Sequence, residues 1–141
     1  MTDVKVSETV AAPAAKVWEL LGDFGGVSKW GGPMLQSCKV EGEGVGAVRR
    51  VGLPGGMEIT ERLEAFDAAK RSLSYSIIGK SPIPIKNYLS VCTIVEVGAN
   101  ECRVDWNGTF DPDGVSAEQA QGMVRGIYTS GVAGVRKLLG V

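Results

Sequence analysis

The chain has 141 residues and a mass of 14.8 kDa, enough for one domain whose core is stable without metals or disulfides. Its 15 basic and 16 acidic residues give a formal net charge of −1 without runs of like charge, which excludes the basic surface typical of a nucleic-acid binder. It contains no histidine, so Ser-His-Asp and Cys-His catalysis and imidazole metal sites are excluded. We expect a single domain over residues 1–141.

The three cysteines, Cys38, Cys92 and Cys102, form no CxxC pair and are odd in number. This favours buried thiols in a reducing compartment over a disulfide framework or a zinc site. The N-terminal MTDVKVSETV lacks the basic and apolar regions of a signal peptide, and no apolar run approaches the roughly 18 residues of a membrane span. We therefore expect a cytoplasmic protein with no metal, no cofactor, no nucleic-acid partner and no membrane span.

Predicted strands and helices follow one another in a simple order. Alternating apolar residues predict a strand over 3–10, apolar residues at helical spacing after Pro13 predict a short helix, and a second helical turn follows at 27–30. Short alternating segments then predict six further strands, at 36–41, 46–53, 57–66, 72–78, 87–97 and 101–110. A two-residue turn at Gly98-Ala99 would join the last two strands.

A long C-terminal helix completes the chain. Ser116 and Gln119 have the spacing of a capping box, and Gly140 suits the end of the helix. The predicted apolar stripe comprises Ala120, Met123, Val124, Ile127, Gly131, Gly134, Val135 and Leu138. Glycines inside a helix cost about 1 kcal/mol each relative to alanine, so Gly126, Gly131 and Gly134 imply either close packing on the sheet or space for a cavity. A curved antiparallel sheet around this helix, an α+β fold, accommodates the whole order.

Three segments carry a resemblance to a known superfamily: VGLPGG at 51–56, ITERLEAFDAAKRSLSYSIIG at 59–79 and NYLSVCTI at 87–94. With the element order, they resemble the START-like (SRPBCC) superfamily, which includes the polyketide cyclase/dehydrase and lipid-transport families, the birch-pollen-allergen family and the plant abscisic acid receptors. The resemblance implies the helix-grip fold, a seven-stranded sheet around the last helix, with two short helices after strand 1. VGLPGG lacks the Lys-Ser/Thr ending of a phosphate loop and is similar to the receptors' gate loop.

The resemblance also implies which residues line a pocket beneath a gate loop at 52–56. Leu53 and Pro54 would belong to the gate. The pocket wall would comprise Ala47, Arg49, Glu61, Tyr75, Ile77, Tyr88, Ser90 and Asp105, to which we add Ile59, Gln36, Ser130 and Gly134 as candidate ligand-binding residues. Gln36 stands where the receptors have the lysine for the hormone carboxylate, and Gly134 where they have an asparagine. The resemblance therefore does not extend to abscisic acid or to the receptors' phosphatase partner.

Two charged residues fall at positions that alternation directs towards the core. Glu61 shares its strand face with Met57, Ile59, Leu63 and Ala65, so it either pairs, meets cavity water, has a raised pKa or is turned to solvent by a local twist. One of the neighbours Arg49 and Arg50 must face inward unless a bulge lets both reach solvent. An inward Arg49 could pair with Glu61 or Asp105, or bind an acidic ligand.

The Gly98-Ala99 turn creates a conflict at Asp105. It places Val91 and Trp106 on one face of the sheet and Ser90 and Asp105 on the other. Burial favours Trp106 inside, whereas the resemblance favours Asp105 inside and leaves an exposed apolar patch on the convex side. We follow the resemblance, and the patch or the gate loop would then be the contact surface of a possible homodimer.

The leading functional hypothesis is binding of a small hydrophobic or aromatic ligand between the sheet and the last helix. One alternative is a cofactor-independent enzyme of the cyclase/dehydratase kind, with Glu61 or Asp105 as acid/base and Tyr88 or Arg49 stabilising an enolate. Tyr75 and Tyr88 could be a proton donor and a ligand hydrogen-bond partner, but we favour the interpretation that they are wall residues whose hydroxyls are already hydrogen-bonded. A second alternative is a protein-interaction module whose gate loop closes on a ligand.

Overall fold

The fold is an antiparallel sheet of seven strands that curves around one long helix. The computed structural model describes residues 1–31 and 35–141. The strands are β1 (Thr2–Val10), β2 (Ser37–Glu41), β3 (Val48–Gly52), β4 (Glu58–Asp67), β5 (Ser72–Ile77), β6 (Ile85–Gly98) and β7 (Glu101–Pro112), in the spatial order β1-β7-β6-β5-β4-β3-β2. The helices are α1 (Ala14–Leu21), α2 (Val27–Trp30) and α3 (Ala117–Leu139). The predicted α+β helix-grip architecture is confirmed.

The ends of α3 follow the sequence signals. The Ser116 hydroxyl accepts a hydrogen bond from the Gln119 backbone N–H at 3.1 Å, and the Gln119 side chain accepts one from the Ser116 N–H at 3.1 Å. Gly140 ends the helix in the left-handed conformation, with a φ of 73°. Within residues 1–31 and 35–141, no helix combines the length and apolar character needed to cross a membrane.

The buried face of α3 is rotated from the predicted stripe. Tyr128 and Val132, which the stripe omitted, are fully buried. Met123 and Ile127, which it included, are 45% and 47% exposed. The helix therefore has two apolar sides, because one packs on the sheet while Met123 and Ile127 border the open space beside it.

The β6–β7 hairpin differs from the prediction by one residue. Gly98 pairs with Glu101, so the two-residue turn is Ala99-Asn100, and the pairing is irregular between Glu96 and Gly98. Cys92 therefore lies opposite Trp106. A one-residue change of register reverses which side chains share a face, and here it brings Ser90 and Trp106 to the inner face together.

The interior glycines of α3 serve both of the purposes considered for them. A Cβ at Gly134 would lie 1.6 Å from the Trp30 carbonyl oxygen, so α2 packs directly on the helix backbone there. A Cβ at Gly126 would meet nothing within 4 Å, although this residue borders the cavity described below. Gly134 allows close packing, whereas Gly126 leaves space.

We expect Gly134→Ala to lower the free energy of unfolding by about 2 kcal/mol, because the new methyl group must displace α2. Gly122→Ala on the same helix should instead raise it by about 1 kcal/mol, since a Cβ there meets nothing within 4 Å. Urea denaturation of both variants measures the difference. Equal stabilisation by the two alanines would contradict the contact between Gly134 and Trp30.

Candidate functional site

A cavity of about 400 Å³ lies between the inner face of the sheet and α3. Its walls are mainly apolar and aromatic. The lining residues are Val27, Trp30, Gly31, Leu35, Arg49, Val51, Leu53, Ile59, Glu61, Tyr75, Ile83, Trp106, Met123, Gly126, Ile127, Ser130 and Gly131. Met123 and Ile127 are about half exposed, which places them at the mouth of the cavity.

An ion pair occupies the sheet wall of this cavity. Arg49 of β3 and Glu61 of β4 lie opposite each other in the strand register, and both point inward. The Arg49 Nε donates to Glu61 Oε1 at 2.8 Å, and the side chains are only 4% and 10% exposed. Of the alternatives that the sequence left open for Glu61, the structure selects pairing with Arg49. Removing one partner from such a buried pair would leave an unpaired charge.

Further contacts hold the Arg49 guanidinium in place. Its Nη1 donates to the Phe24 carbonyl oxygen at 3.0 Å, and its Cζ lies 4.2 Å and 4.8 Å from the ring centroids of Phe24 and Tyr75. Burial has the largest single effect on the pKa of Arg49 and lowers it, but the charge and hydrogen bond of Glu61, together with smaller contributions from Tyr75 and Cys38, leave that pKa raised. The arginine is therefore a fixed cation between two aromatic rings.

A chain of hydrogen bonds between buried side chains lies next to the ion pair. Trp106 Nε1 donates to Tyr75 Oη at 3.2 Å and to Ser90 Oγ at 3.0 Å. Tyr128 Oη donates to Ser90 Oγ at 3.1 Å, and the Tyr128 and Tyr88 hydroxyls are hydrogen-bonded to each other. Burial raises the pKa of Tyr128 to about 12 and raises the pKa values of Tyr75 and Tyr88 as well. All three phenols are therefore protonated at neutral pH.

Six of the predicted ligand-binding residues line the cavity: Arg49, Leu53, Ile59, Glu61, Tyr75 and Ser130. Eight do not. Those outside the lining are Gln36, Ala47, Pro54, Ile77, Tyr88, Ser90, Asp105 and Gly134.

The reasons for these exclusions are local. Ser90 is completely buried, and its hydroxyl is already bonded to Trp106 and Tyr128, whose rings stack with centroids 4.9 Å apart. Tyr88 is buried against Tyr128 and, with Ile77, borders a separate polar groove beside the 78–85 segment. Tyr88 is thus not a cavity residue, and its hydroxyl is satisfied within the protein.

The other exclusions follow from backbone pairing and packing. The Gln36 N–H bonds to the Gly52 carbonyl at 2.9 Å, and the Ala47 carbonyl accepts from the Leu63 N–H at 2.9 Å, so both residues belong to the sheet margin. Pro54 begins a short 3-10 turn. Leu53, the residue before this turn, lines the cavity, but Pro54 does not. Gly134 packs on α2, as described above.

The placement of Asp105 on the pocket wall is wrong. Asp105 lies on the opposite face of β7, where its carboxylate accepts two hydrogen bonds from Arg103 at 2.9 Å and one from Ser7 at 2.7 Å. The Arg103 hydrogen bonds lower the pKa of Asp105. Trp106 is 3% exposed and faces inward, as burial favoured. The convex patch expected for a homodimer therefore lacks Trp106, although Val91 is 36% exposed there, and homodimerisation stays a prediction.

Sequence reasoning missed much of the apolar lining. The missed residues are Val27, Trp30, Gly31, Leu35, Val51, Ile83, Trp106, Met123, Gly126, Ile127 and Gly131. Burial identified Trp106, and the apolar stripe of the last helix contained Met123 and Ile127. The contribution of α2 had no local signal, since it depends on how that short helix docks against α3.

Residues 1–140 match the family described as polyketide cyclase / dehydrase and lipid transport. The chain belongs to this family. The resemblance stated from the sequence is confirmed, and the structure has the family's curved sheet and long C-terminal helix.

Individual relatives extend the comparison. The abscisic acid receptor PYL2 of Arabidopsis thaliana is 34% identical over 96 residues, which cover 64% of this chain and 50% of the receptor, so the chain spans about half the length of this curated relative. The protein XoxI from Bacillus cereus is 35% identical over 97% of this chain and 94% of its own, with a TM-score of 0.88. Norcoclaurine synthase from Thalictrum flavum shares the fold at 16% identity, with a TM-score of 0.74 over 97% of this chain and 85% of its own.

We expect Glu61→Gln to lower the free energy of unfolding by about 3 kcal/mol, because it leaves the buried Arg49 charge uncompensated. Asp105→Asn serves as the matched control, since it removes a carboxylate from the exposed face of the sheet and should cost much less. Replacing Arg49 and Glu61 together by leucine should recover part of the loss, because no buried charge remains. Urea denaturation measures all three variants, and an Asp105→Asn variant less stable than Glu61→Gln would contradict this assignment.

Proposed function

We propose that the protein binds a small, mainly apolar ligand in the cavity between the sheet and α3. The observation that carries this proposal is the cavity itself, about 400 Å³ with a mostly apolar and aromatic wall and, among the lining residues that the structure describes, one buried ion pair. Small-molecule sites have volumes of roughly 300–1,000 Å³ and the same combination of apolar walls with few polar groups. Trp30, Tyr75 and Trp106 would supply flat surfaces against an aromatic or isoprenoid-like ligand.

The segment at 52–56 would act as a gate over this cavity. Leu53 reaches the lining, and a Cβ at Gly55 or Gly56 would meet nothing within 4 Å. Both glycines have positive φ values, of 80° and 77°, so the turn depends on residues without a side chain. A loop with few packing contacts can open and close at low cost, which would admit a ligand and then exclude water from it.

Similar proteins support ligand binding. The family description includes lipid transport, the PYL2 relative is named an abscisic acid receptor, and the Thalictrum flavum enzyme has been crystallised with dopamine and hydroxybenzaldehyde. We extend from these only the class, a small apolar or aromatic molecule. For the cyclase/dehydratase alternative, Glu61 remains a candidate acid/base in the cavity, whereas Asp105 lies outside it. The ligand-gated interaction module remains a prediction.

We expect Gly126→Leu to weaken binding of N-phenyl-1-naphthylamine, a neutral apolar dye, by about tenfold or more, because the added side chain would occupy the cavity mouth. Gly122→Leu is the matched control, since it adds the same side chain to the same helix outside the lining and should leave the affinity unchanged. Fluorescence titration measures both. Absence of dye binding to the unmodified protein, or equal binding by both variants, would contradict the proposal.

A further inference from the structure

The hydrogen-bond chain beside the cavity has a fixed direction. An indole N–H can only donate, so Trp106 donates to both Tyr75 Oη and Ser90 Oγ. Ser90 Oγ also accepts a hydrogen bond from the Tyr128 hydroxyl. Trp106 and Tyr128 together fill both acceptor positions of the serine oxygen. The Ser90 oxygen therefore cannot also accept the hydrogen of the Tyr75 hydroxyl.

In this network the hydrogen of the Tyr75 hydroxyl has no acceptor. The Tyr75 oxygen accepts a hydrogen bond from Trp106, and the phenol keeps its own O–H hydrogen to donate. Among the described residues, no acceptor takes that hydrogen. Tyr75 is 5% exposed and lines the cavity, so the acceptor has to come from within the cavity. A buried donor without a partner is costly, which favours a ligand that supplies an acceptor oxygen.

The charge of the lining restricts the ligand further. Among the described lining residues, Arg49 and Glu61 are the only ionised side chains, and they neutralise each other at 2.8 Å. A carboxylate ligand would bring an uncompensated negative charge into an apolar space and would have to compete with Glu61 for the arginine. A neutral oxygen acceptor, such as a ketone or aldehyde carbonyl, carries no such penalty.

We infer that the cavity selects a neutral, mainly apolar ligand bearing a carbonyl oxygen, which accepts the hydrogen bond of the Tyr75 hydroxyl. This inference rests on the proposed binding function and adds the chemical class of the ligand. It assigns to Tyr75 the orienting role at one end of the cavity and leaves Arg49 paired with Glu61 when the ligand is bound.

Three naphthalenes of similar size test this selectivity by isothermal titration calorimetry: 2-acetylnaphthalene, 2-ethylnaphthalene and 2-naphthoate. A cavity without a free donor would prefer the ethyl compound, because the ketone would lose its hydrogen bonds to water. We expect the ketone to bind about five- to tenfold more tightly than the ethyl compound, the effect of one hydrogen bond, and more tightly than the carboxylate.

Tyr75→Phe should abolish the preference for the ketone, so that this variant binds the ketone no more tightly than it binds 2-ethylnaphthalene. The fold should tolerate this change, since the Trp106 N–H keeps Ser90 as an acceptor. Tyr88→Phe is the matched control, because it removes an equally buried phenol hydroxyl that lies outside the lining, and it should keep the preference. The infrared carbonyl stretch of the bound ketone should lie at lower wavenumber in the unmodified protein than in Tyr75→Phe.

The outcomes separate this inference from the proposed function. Binding of 2-ethylnaphthalene as tight as that of the ketone, or an unchanged preference in Tyr75→Phe, overturns the inference and leaves the binding function standing. Tighter binding of 2-naphthoate than of the ketone also overturns it, because the cavity would then select an anion. Failure of all three probes to bind the unmodified protein would overturn the binding function and the inference together.

Discussion

The pairing of β6 with β7 decides which side chains face α3. Cys92 lies opposite Trp106, so the inner face of the two longest strands presents Ser90 and Trp106 to the helix, while Asp105 is directed to the other side with Arg103 and Ser7. A shift by one residue would exchange these faces, exposing an indole and burying a carboxylate. The aromatic end of the cavity and its hydrogen-bond chain both depend on this register.

The polar groups of the cavity differ in whether the protein itself satisfies them. The Arg49–Glu61 pair is complete in itself, held by opposite charges, by the Phe24 carbonyl and by two aromatic rings. The Tyr75 hydroxyl is the end of a donor chain and has a hydrogen to give. Affinity would therefore come from the apolar walls, and orientation from one directed hydrogen bond, while the ion pair fixes β3 against β4 without adding net charge.

Local signals predicted the elements well and the site only in part. Spacing predicts the capping box at Ser116, a strand over 57–66 that is observed at Glu58–Asp67, and a position for Glu61 on the core-directed face of that strand. Asp105 was misplaced because the predicted turn at Gly98-Ala99 put it on the same face as Ser90, which the resemblance placed in the pocket. The turn at Ala99-Asn100 and the irregularity before Gly98 put Trp106 on that face instead, and neither has a distinctive sequence pattern. Trp30 could not be found either, since its place in the wall depends on α2 resting against the bare backbone at Gly134.

The most direct test of the binding account is the position of a bound probe, measured by intermolecular nuclear Overhauser effects between 2-acetylnaphthalene and the protein in solution. We expect contacts from the acetyl methyl group to the Tyr75 ring and from the naphthalene protons to Trp106 and Met123. Contacts confined to the polar groove that Ile77 and Tyr88 border, with none to Tyr75 or Trp106, would contradict it.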